Sequence, residues 1–301
     1  MRERIARNAQ AKAWAYVPAR AKARAYVRLV LALALTTCAF AQAKPARIIS
    51  LVPGATEMLF AIGAGPRVVA VSSYDKEPPE VTSLPRVGAL LDPDVERILS
   101  LKPDLIVVYG SQHDLVRQLQ RTGVAHFSYV HGGLADIFTT IRALAARTGD
   151  TEQAARVVKQ IEDTLADIRT RVAGRSRPRT MLVFGREPGS LRNVYASGGY
   201  GFLHDVLEIA GGDDVFSDIK RESVQASSEL VLTRAPDVIV ELRADDEAAP
   251  DLEAWQAVPS VPAVRNKRIV TLTGGDMVTA GPRIGQAALR LAKALHPDAF
   301  K

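Results

Sequence analysis

Strand-length apolar runs alternate with amphipathic helical stretches along most of this chain. RIISLV at 47–52 reads as a strand, Pro53 and Gly54 turn into a helix ATEMLFAIG that closes at Gly63, and RVVAVS at 67–72 reads as the next strand. A loop rich in proline and charge, from Ser73 to Asp94, leads to a short helix and the strand DLIVVYG. The helix DLVRQLQRTG then stops at Gly123, VAHFSYV reads as a strand, and LADIFTTIRALAARTG reads as a helix. Continuous apolar strands separated by helices predict a parallel sheet covered on both faces. From Asp150 to Gly174 the pattern becomes one uninterrupted helix, with Ala154, Val157, Val158, Ile161, Leu165, Ile168 and Val172 on a single stripe. At 1.5 Å per residue it would span about 37 Å, enough to bridge two lobes. Past the basic stretch GRSRPR the alternation resumes with the strand TMLVFG, a glycine-rich loop ASGGYG and the helix FLHDVLEIAGG. A further helix and strand, a helix around LEAWQAV, the strand RIVTLTG and a helix from Pro282 to Leu295 follow, and the final PDAFK is expected to fray.

One sentence occurs twice. ERILSLKPDLIV at 96–107 and ELVLTRAPDVIV at 229–240 both fit ExxLxxxPDxIV, offset by 133. Each copy predicts a short amphipathic helix opened by a glutamate, a proline stop, an aspartate and a buried strand, and such self-similarity reports repeated architecture. The boundaries that result are a segment 1–43, an N-terminal α/β lobe 44–149, a connecting helix 150–177 and a C-terminal α/β lobe 178–301.

Charge changes this picture at the amino end alone. The net charge of +6 would invite a nucleic-acid reading, but residues 1–43 hold eight basic and one acidic residue, leaving 31 basic against 32 acidic for the rest. The leader has a basic stretch through Arg28, an apolar run LVLALALTTCAFA shorter than the ~20 residues needed to span a bilayer, and AxA sites ending at Ala41 or Ala43. That layout predicts a cleaved secretory signal peptide and a periplasmic protein. Cys38 is the single cysteine, and Thr37 before it argues against a lipid anchor there. Cleavage at Ala43 would leave no cysteine for disulfides or thiolate metal sites.

Catalytic constellations are scarce. There is no GxSxG, no P-loop, and no HxxxH or HxH among His113, His126, His131, His204 and His296, so neither a catalytic nor a metal site is predicted. GGYGF at 198–202 resembles a phosphate-cradling loop superficially but lacks a lysine, and a plain glycine turn opens a helix equally well. The acids Asp75, Glu77, Glu80, Asp92 and Asp94 sit among prolines as a solvated loop. His113 and His131 follow strands, where ligands of α/β sheets bind, so they read either as axial ligands of a metal centre or as exposed loop histidines. Tyr74, Tyr109, Tyr195 and Tyr200 also fall at strand ends, where a ring can stack on a large flat ligand. An exported hydrolase using Ser50 or Ser197 is the rival class, without a triad spacing to support it.

The opening RIISLVPGATEMLFAIGAGPRVVAVSSYDKEPPE, the segment VGALLDPDVERILSLKPDLIV and the later LEIAGG resemble the substrate-binding proteins of ABC importers for cobalamin, iron-siderophores and heme, over roughly residues 46–296. The resemblance implies an α/β fold of two Rossmann-like lobes with mostly parallel sheets, joined by one long rigid α-helix, with ligand held between the lobes and no catalysis. It implies a monomer that binds a small molecule, needs no resident cofactor and docks on an ABC permease dimer with its ATPase subunits. In this family a glutamate on each lobe docks onto permease arginines, and Glu96 and Glu229 sit at those motif positions. Tyr74 matches the tyrosine that cobalamin binders carry in this segment, whereas Leu90, Leu91 and Val224 stand where those binders have tryptophan-bearing loops. Ala89 replaces the tyrosine with which heme binders coordinate. Arg186, Arg192 and Arg221 are available to a ferric siderophore. The resemblance thus implies a corrinoid first and a siderophore second, with Tyr74, Leu90, Leu91, Arg186, Tyr195 and Val224 as the expected ligand-binding residues.

Overall fold

The computed structural model describes residues 44–245 and 251–301, so the expected signal peptide and Cys38 lie outside the described residues. Pro45–Lys301 form one compact unit. Its first sheet holds β1 (Ile48–Ser50), β2 (Val68–Val71), β3 (Leu105–Tyr109) and β4 (Ala125–Tyr129), all parallel in the order β2-β1-β3-β4. Alternate residues point to opposite faces. Ile48, Leu105 and Val107 join one apolar cluster, while Ile49, Ile106 and Val108 join another. The helices between these strands, α1 (Pro53–Ala61), α2 (Val95–Ser100), α3 (His113–Thr122) and α4 (Leu134–Thr148), cover both faces, as the unbroken apolar runs require. The connector α5 (Thr151–Val172) follows.

The second sheet contains β5 (Arg179–Gly185), β6 (Val194–Ser197), β7 (Asp213–Asp214), β8 (Ser223–Ala226), β9 (Val238–Arg243) and β10 (Ile269–Thr273). Its order is β10-β9-β5-β6-β8, with β7 beside β5, and its helices are α6 (Phe202–Ile209), α7 (Ser228–Arg234), α8 (Pro262–Arg265) and α9 (Ile284–Leu295). β10, β9, β5 and β7 pair in parallel, but β6 runs antiparallel to β5, and β8 antiparallel to β6. β6 and β8 are short half-buried strands where the glycine-rich stretch ASGGYG and the segment around Val224 suggest loops. Their buried residues include Val194 and Ala196 on one and Val224 and Ala226 on the other, with Tyr195 and Gln225 exposed between them. LEAWQAV forms a 3₁₀ turn, Leu252–Ala257, around a fully buried Trp255. The tail does not fray: Pro297–Ala299 is a 3₁₀ turn, and the Arg171 guanidinium lies 5.6 Å from the centre of the Phe300 ring.

The repeated sentence is architecture down to single hydrogen bonds. In each copy the residue two before the glutamate caps its helix: Asp94 accepts the N–H of Arg97 (2.9 Å), and Ser227 accepts that of Leu230 (3.2 Å). The residue before each proline, Lys102 or Ala235, takes a left-handed conformation with φ 48° or 45°, which ends the helix and turns the chain into the strand. Asp104 then accepts the N–H groups of Ala46 and Arg47 (2.7 and 2.9 Å), and Asp237 accepts that of Arg179 (3.2 Å). Arg47 and Arg179 in turn donate to the last-turn carbonyls of Leu101 and Arg234. Each aspartate therefore fastens its copy to the strand it pairs with, β3 to β1 and β9 to β5.

The connector is embedded rather than free-standing. Ala154, Val158, Ile161, Leu165, Ile168 and Val172 are buried, and α5 packs against both α4 and α9. Two polar ties also join the lobes directly. Arg283, at the start of α9, donates to both carboxylate oxygens of Glu57 on α1 (2.8 Å each), and Asp205 of α6 accepts the first N–H of α4, from Leu134 (2.7 Å). Gly54 permits the first approach, since a Cβ there would lie 2.4 Å from the carbonyl oxygen of Ala280.

Candidate ligand-binding cleft

Ligands of open parallel sheets bind beyond the carboxyl ends of the strands. At that edge of the first sheet lie Tyr74 after β2, Tyr109 and Gly110 at the end of β3, and Tyr129 and His131 at the end of β4. His131 reaches a cavity of about 400 Å³ whose other walls come from the second lobe: Phe184 of β5, Tyr200 to Leu203 at the start of α6, Glu222 just before β8, Ser223 at its start, and Val278. The walls are aromatic and aliphatic with a few polar groups, the usual make-up of a small-molecule site.

An aromatic ladder carries His131 there. Tyr109 meets Tyr129 edge-on with ring centres 5.8 Å apart, Tyr129 lies beside His131 at 6.2 Å, and His131 meets Phe202 edge-on at 5.7 Å. The Tyr129 hydroxyl is 3.2 Å from His131 Nδ1, which orients the ring, and Nε2 faces Glu222 Oε2 at 3.8 Å. Burial first, then the neighbouring Tyr109 and Glu222, pushes the Tyr129 phenol far above its ordinary value, so it stays neutral. Burial and the nearby Asp75 raise Tyr109 as well.

The loop that carries Tyr74 is held from inside. Asp75 accepts the N–H and hydroxyl of Ser72 (2.9 and 2.5 Å), and Arg86 donates to the carbonyls of Ser72 and Asp75 (3.0 and 2.8 Å). Asp75 is thus a buried loop anchor rather than a solvated acid. Tyr74 is left 70 % exposed. Gln112, just after β3, donates to the carbonyls of Ala89 and Leu90 (3.3 and 3.0 Å) and fixes the next loop, where Leu91 is 92 % exposed. Tyr74, Leu90 and Leu91 therefore stand as solvent-facing groups on loops of the first lobe, outside the walls of the cavity itself.

Three expected ligand residues are placed elsewhere. Arg186 is buried, its guanidinium bonded to Glu241 (2.7 Å) and to the carbonyls of Ser190 and Asp251 (3.1 and 2.6 Å), because a cation this deep needs every donor satisfied. Val224 points into the second lobe's core, since β8 is a strand whose alternate residues are buried. Tyr195, on β6, is paired opposite Gln225 and does not line the cavity. Of the other two arginines expected to be available to a siderophore, Arg192 pairs with Glu187 at the surface (2.8 Å). Glu222, Phe184, Phe202 and Val278 were missed. The glycine turn before Phe202 is the available signal for one of them, and Glu222 stands two residues before Val224 in the same segment. Ser50 and Ser197 are buried and donate to the carbonyls of Val52 (3.3 Å) and Gly198 (3.2 Å), so neither is paired with a histidine.

Glu96 and Glu229 are both exposed at the second position of their helices, and the pairs are built alike. The Ser227 hydroxyl donates to Glu229 at 3.1 Å. Among the described residues, no three His, Cys, Asp or Glu side chains converge as a metal site. No described helix is long and apolar enough to cross a membrane.

Residues 48–274 match the periplasmic binding protein family, and the chain belongs to it. It is 32 % identical over 270 residues to the vitamin B12-binding protein of Salmonella typhimurium, covering 89 % of this chain and 96 % of that one. The solved periplasmic vitamin B12 binding protein of Vibrio cholerae superposes with a TM-score of 0.71 at 27 % identity, over 85 % of this chain and 99 % of that one. A periplasmic heme-binding protein of Roseiflexus superposes with a TM-score of 0.69 at 26 % identity, over 84 % and 98 %. These relatives are binding proteins and not enzymes, which agrees with a reading of capture without catalysis. The chain is a periplasmic binding protein of the class that serves ABC importers of cobalamin, siderophores and heme.

Proposed function

We propose that this protein captures a corrinoid at the cleft between its lobes and delivers it to an ABC permease. The observation that carries this reading is the charge of the cavity wall. Among the described residues Glu222 is its sole fixed charge, and no lysine or arginine lines it. A carboxylate-bearing or catecholate ferric chelate, or a heme with its propionates, would find no cation there. A corrinoid, edged largely by neutral amides, requires none. The aromatic and aliphatic walls suit a flat macrocycle, and Tyr74, Leu90 and Leu91 offer further apolar cover at the rim. The named relative from Salmonella adds to the same reading.

Delivery is assigned to Glu96 and Glu229. Two exposed carboxylates on matched helix starts suit charge-assisted pairing with two permease subunits, which fixes register and orientation more than raw affinity. The embedded connector and the Glu57–Arg283 and Asp205–Leu134 ties support a small closure on binding. The deciding experiment is titration of the mature protein with cyanocobalamin, hemin and ferric siderophores, followed by absorbance and calorimetry. Submicromolar cyanocobalamin binding is expected, and binding of a siderophore or hemin without cyanocobalamin would overturn the assignment. The double variant Glu96→Ala, Glu229→Ala should lose uptake while keeping ligand affinity, and loss of ligand binding would sink the docking role.

A further inference from the structure

Among the described residues that line the cavity Glu222 is the single carboxylate, and its place is unusual. Its stem lies across the start of α6: a Cβ on Gly201, the residue before the helix, would come within 3.2 Å of Glu222 Cγ. Gly201 also holds φ at 92°, so the absence of a side chain serves the backbone and the neighbour together. No side chain caps α6. The N–H groups of its first turn have no partner within the helix, and Phe202 and Leu203 of that turn line the cavity beside Glu222. A helix start carries partial positive charge and would by itself attract an anion. Here the chain places a carboxylate of its own beside that start, half-exposed and lining the ligand space, with His131 Nε2 3.8 Å from it across the cleft.

We propose that Glu222 sorts ligands by charge and, with the first-turn N–H groups of α6, forms an acceptor–donor pair for a primary carboxamide. A carboxamide donates from its nitrogen to the carboxylate and accepts at its oxygen from a backbone N–H, so both of its halves are matched. A ligand carboxylate at the same place has no proton to donate and meets a like charge. Glu222 is thereby a specificity-determining residue. The inference rests on the corrinoid reading and names what that site reads: the amide edge of the macrocycle.

The test compares cyanocobalamin with a monocarboxylate made from it by hydrolysis of one peripheral amide, titrated into wild-type protein and into Glu222→Gln. Wild type should bind the carboxylate isomer that faces Glu222 about tenfold more weakly than cyanocobalamin, the size of one partly screened like-charge contact. In Glu222→Gln that ratio should fall to near unity, and raised salt should shrink it in wild type alone. A far-UV circular dichroism spectrum and a urea midpoint like those of the wild type show that the variant is folded, and a folded variant that no longer binds cyanocobalamin overturns the charge-sorting role. If every monocarboxylate isomer binds wild type as well as cyanocobalamin does, or if discrimination persists unchanged in the variant, the role of Glu222 is overturned while the corrinoid reading stands. If wild type binds hemin but not cyanocobalamin, the corrinoid reading fails and the carboxamide assignment falls with it.

Discussion

The fourth residue of the repeated strand is Val108 in β3 and Glu241 in β9, and both are fully buried. Around Val108 lie Ile98, Leu115 and Leu119, an apolar filling that needs no partner. Glu241 instead accepts from Arg186 and from the Trp255 indole, at 2.7 Å each, with Arg243 at 3.4 Å. One position of one motif is thus closed by packing in the first lobe and by a buried ion pair in the second. Such a pair is weak evidence for stability, since desolvation offsets most of its attraction. Its geometric consequence is firmer: Arg186 reaches the carbonyls of Ser190 and Asp251, so the pair ties the β5–β6 loop to the segment before the Trp255 turn. Among the described residues the first lobe has no strand equivalent to β6, and the second builds β6, β8 and the cavity-lining start of α6 beyond this anchored loop. What the lobes share holds the two glutamates alike, and where they diverge the cleft wall is made.

The largest effect that breaks this contrast is Glu241→Val, which copies the first lobe into the second. It strands a buried guanidinium and should cost about 3–5 kcal/mol in urea unfolding. Adding Arg186→Met should recover most of the loss, because an apolar pair of similar volume is tolerated where a lone buried charge is not. A loss below about 1 kcal/mol for the single variant would mean that the arginine escapes to water.

Next in size are the ties between the lobes. Arg283→Ala leaves the largely buried Glu57 carboxylate without its bidentate partner and should cost about 2–3 kcal/mol. Asp205→Ala removes one hydrogen bond at a helix start and should cost about 1 kcal/mol. Amide exchange near Thr279–Ile284 should quicken in the first variant and stay unchanged in the second. Equal quickening in both would replace two local ties with one rigid block. Within the repeat, Asp104→Ala should lose about 2 kcal/mol against about 1 for Asp237→Ala, since Asp104 holds two backbone N–H groups and Asp237 holds one.

These contrasts mark which parts of the fold were legible in the sequence. The unbroken apolar runs of β1 and β3 announced a doubly covered parallel sheet, because a strand buried on both faces has no polar period to obscure it. The repeated aspartates announced themselves because both lobes need the same anchor. β6 and β8 were hidden because four residues with two buried positions differ little from a loop, and Tyr195 and Val224 were misplaced with them. Arg186 looked like a free cation since its partner, Glu241, lies 55 residues away on the adjacent strand. The cleft itself was half legible: strand-end positions pointed to His131 and Tyr200. Glu222 and Phe202 became visible only when the chain brought α6 against the end of β4.

The smallest effect lies in two buried aspartates whose ionisation burial disfavours, Asp75 in the first lobe and Asp214 in the second. Burial raises Asp75 above its ordinary value, against hydrogen bonds from Ser72 and Thr56 and the charge of Arg86 that pull the other way. Burial raises Asp214 too, against the N–H of Phe216 (2.8 Å) and His204 (3.0 Å). A carboxyl whose folded value lies above its unfolded one favours the folded state fully below the unfolded value, and that contribution is lost as pH rises through the folded value. Asparagine does not titrate, so wild type should gain stability relative to Asp75→Asn as pH falls from about 7 toward about 4. The same comparison for Asp214→Asn should change less. The backbone N–H of Phe216 and the His204 ring beside it favour the Asp214 carboxylate and oppose the gain. Urea midpoints of the two pairs at both pH values test this. A difference for Asp75 that shrinks on acidification would mean that its carboxylate is held by charge, as a paired surface acid is, and not by burial.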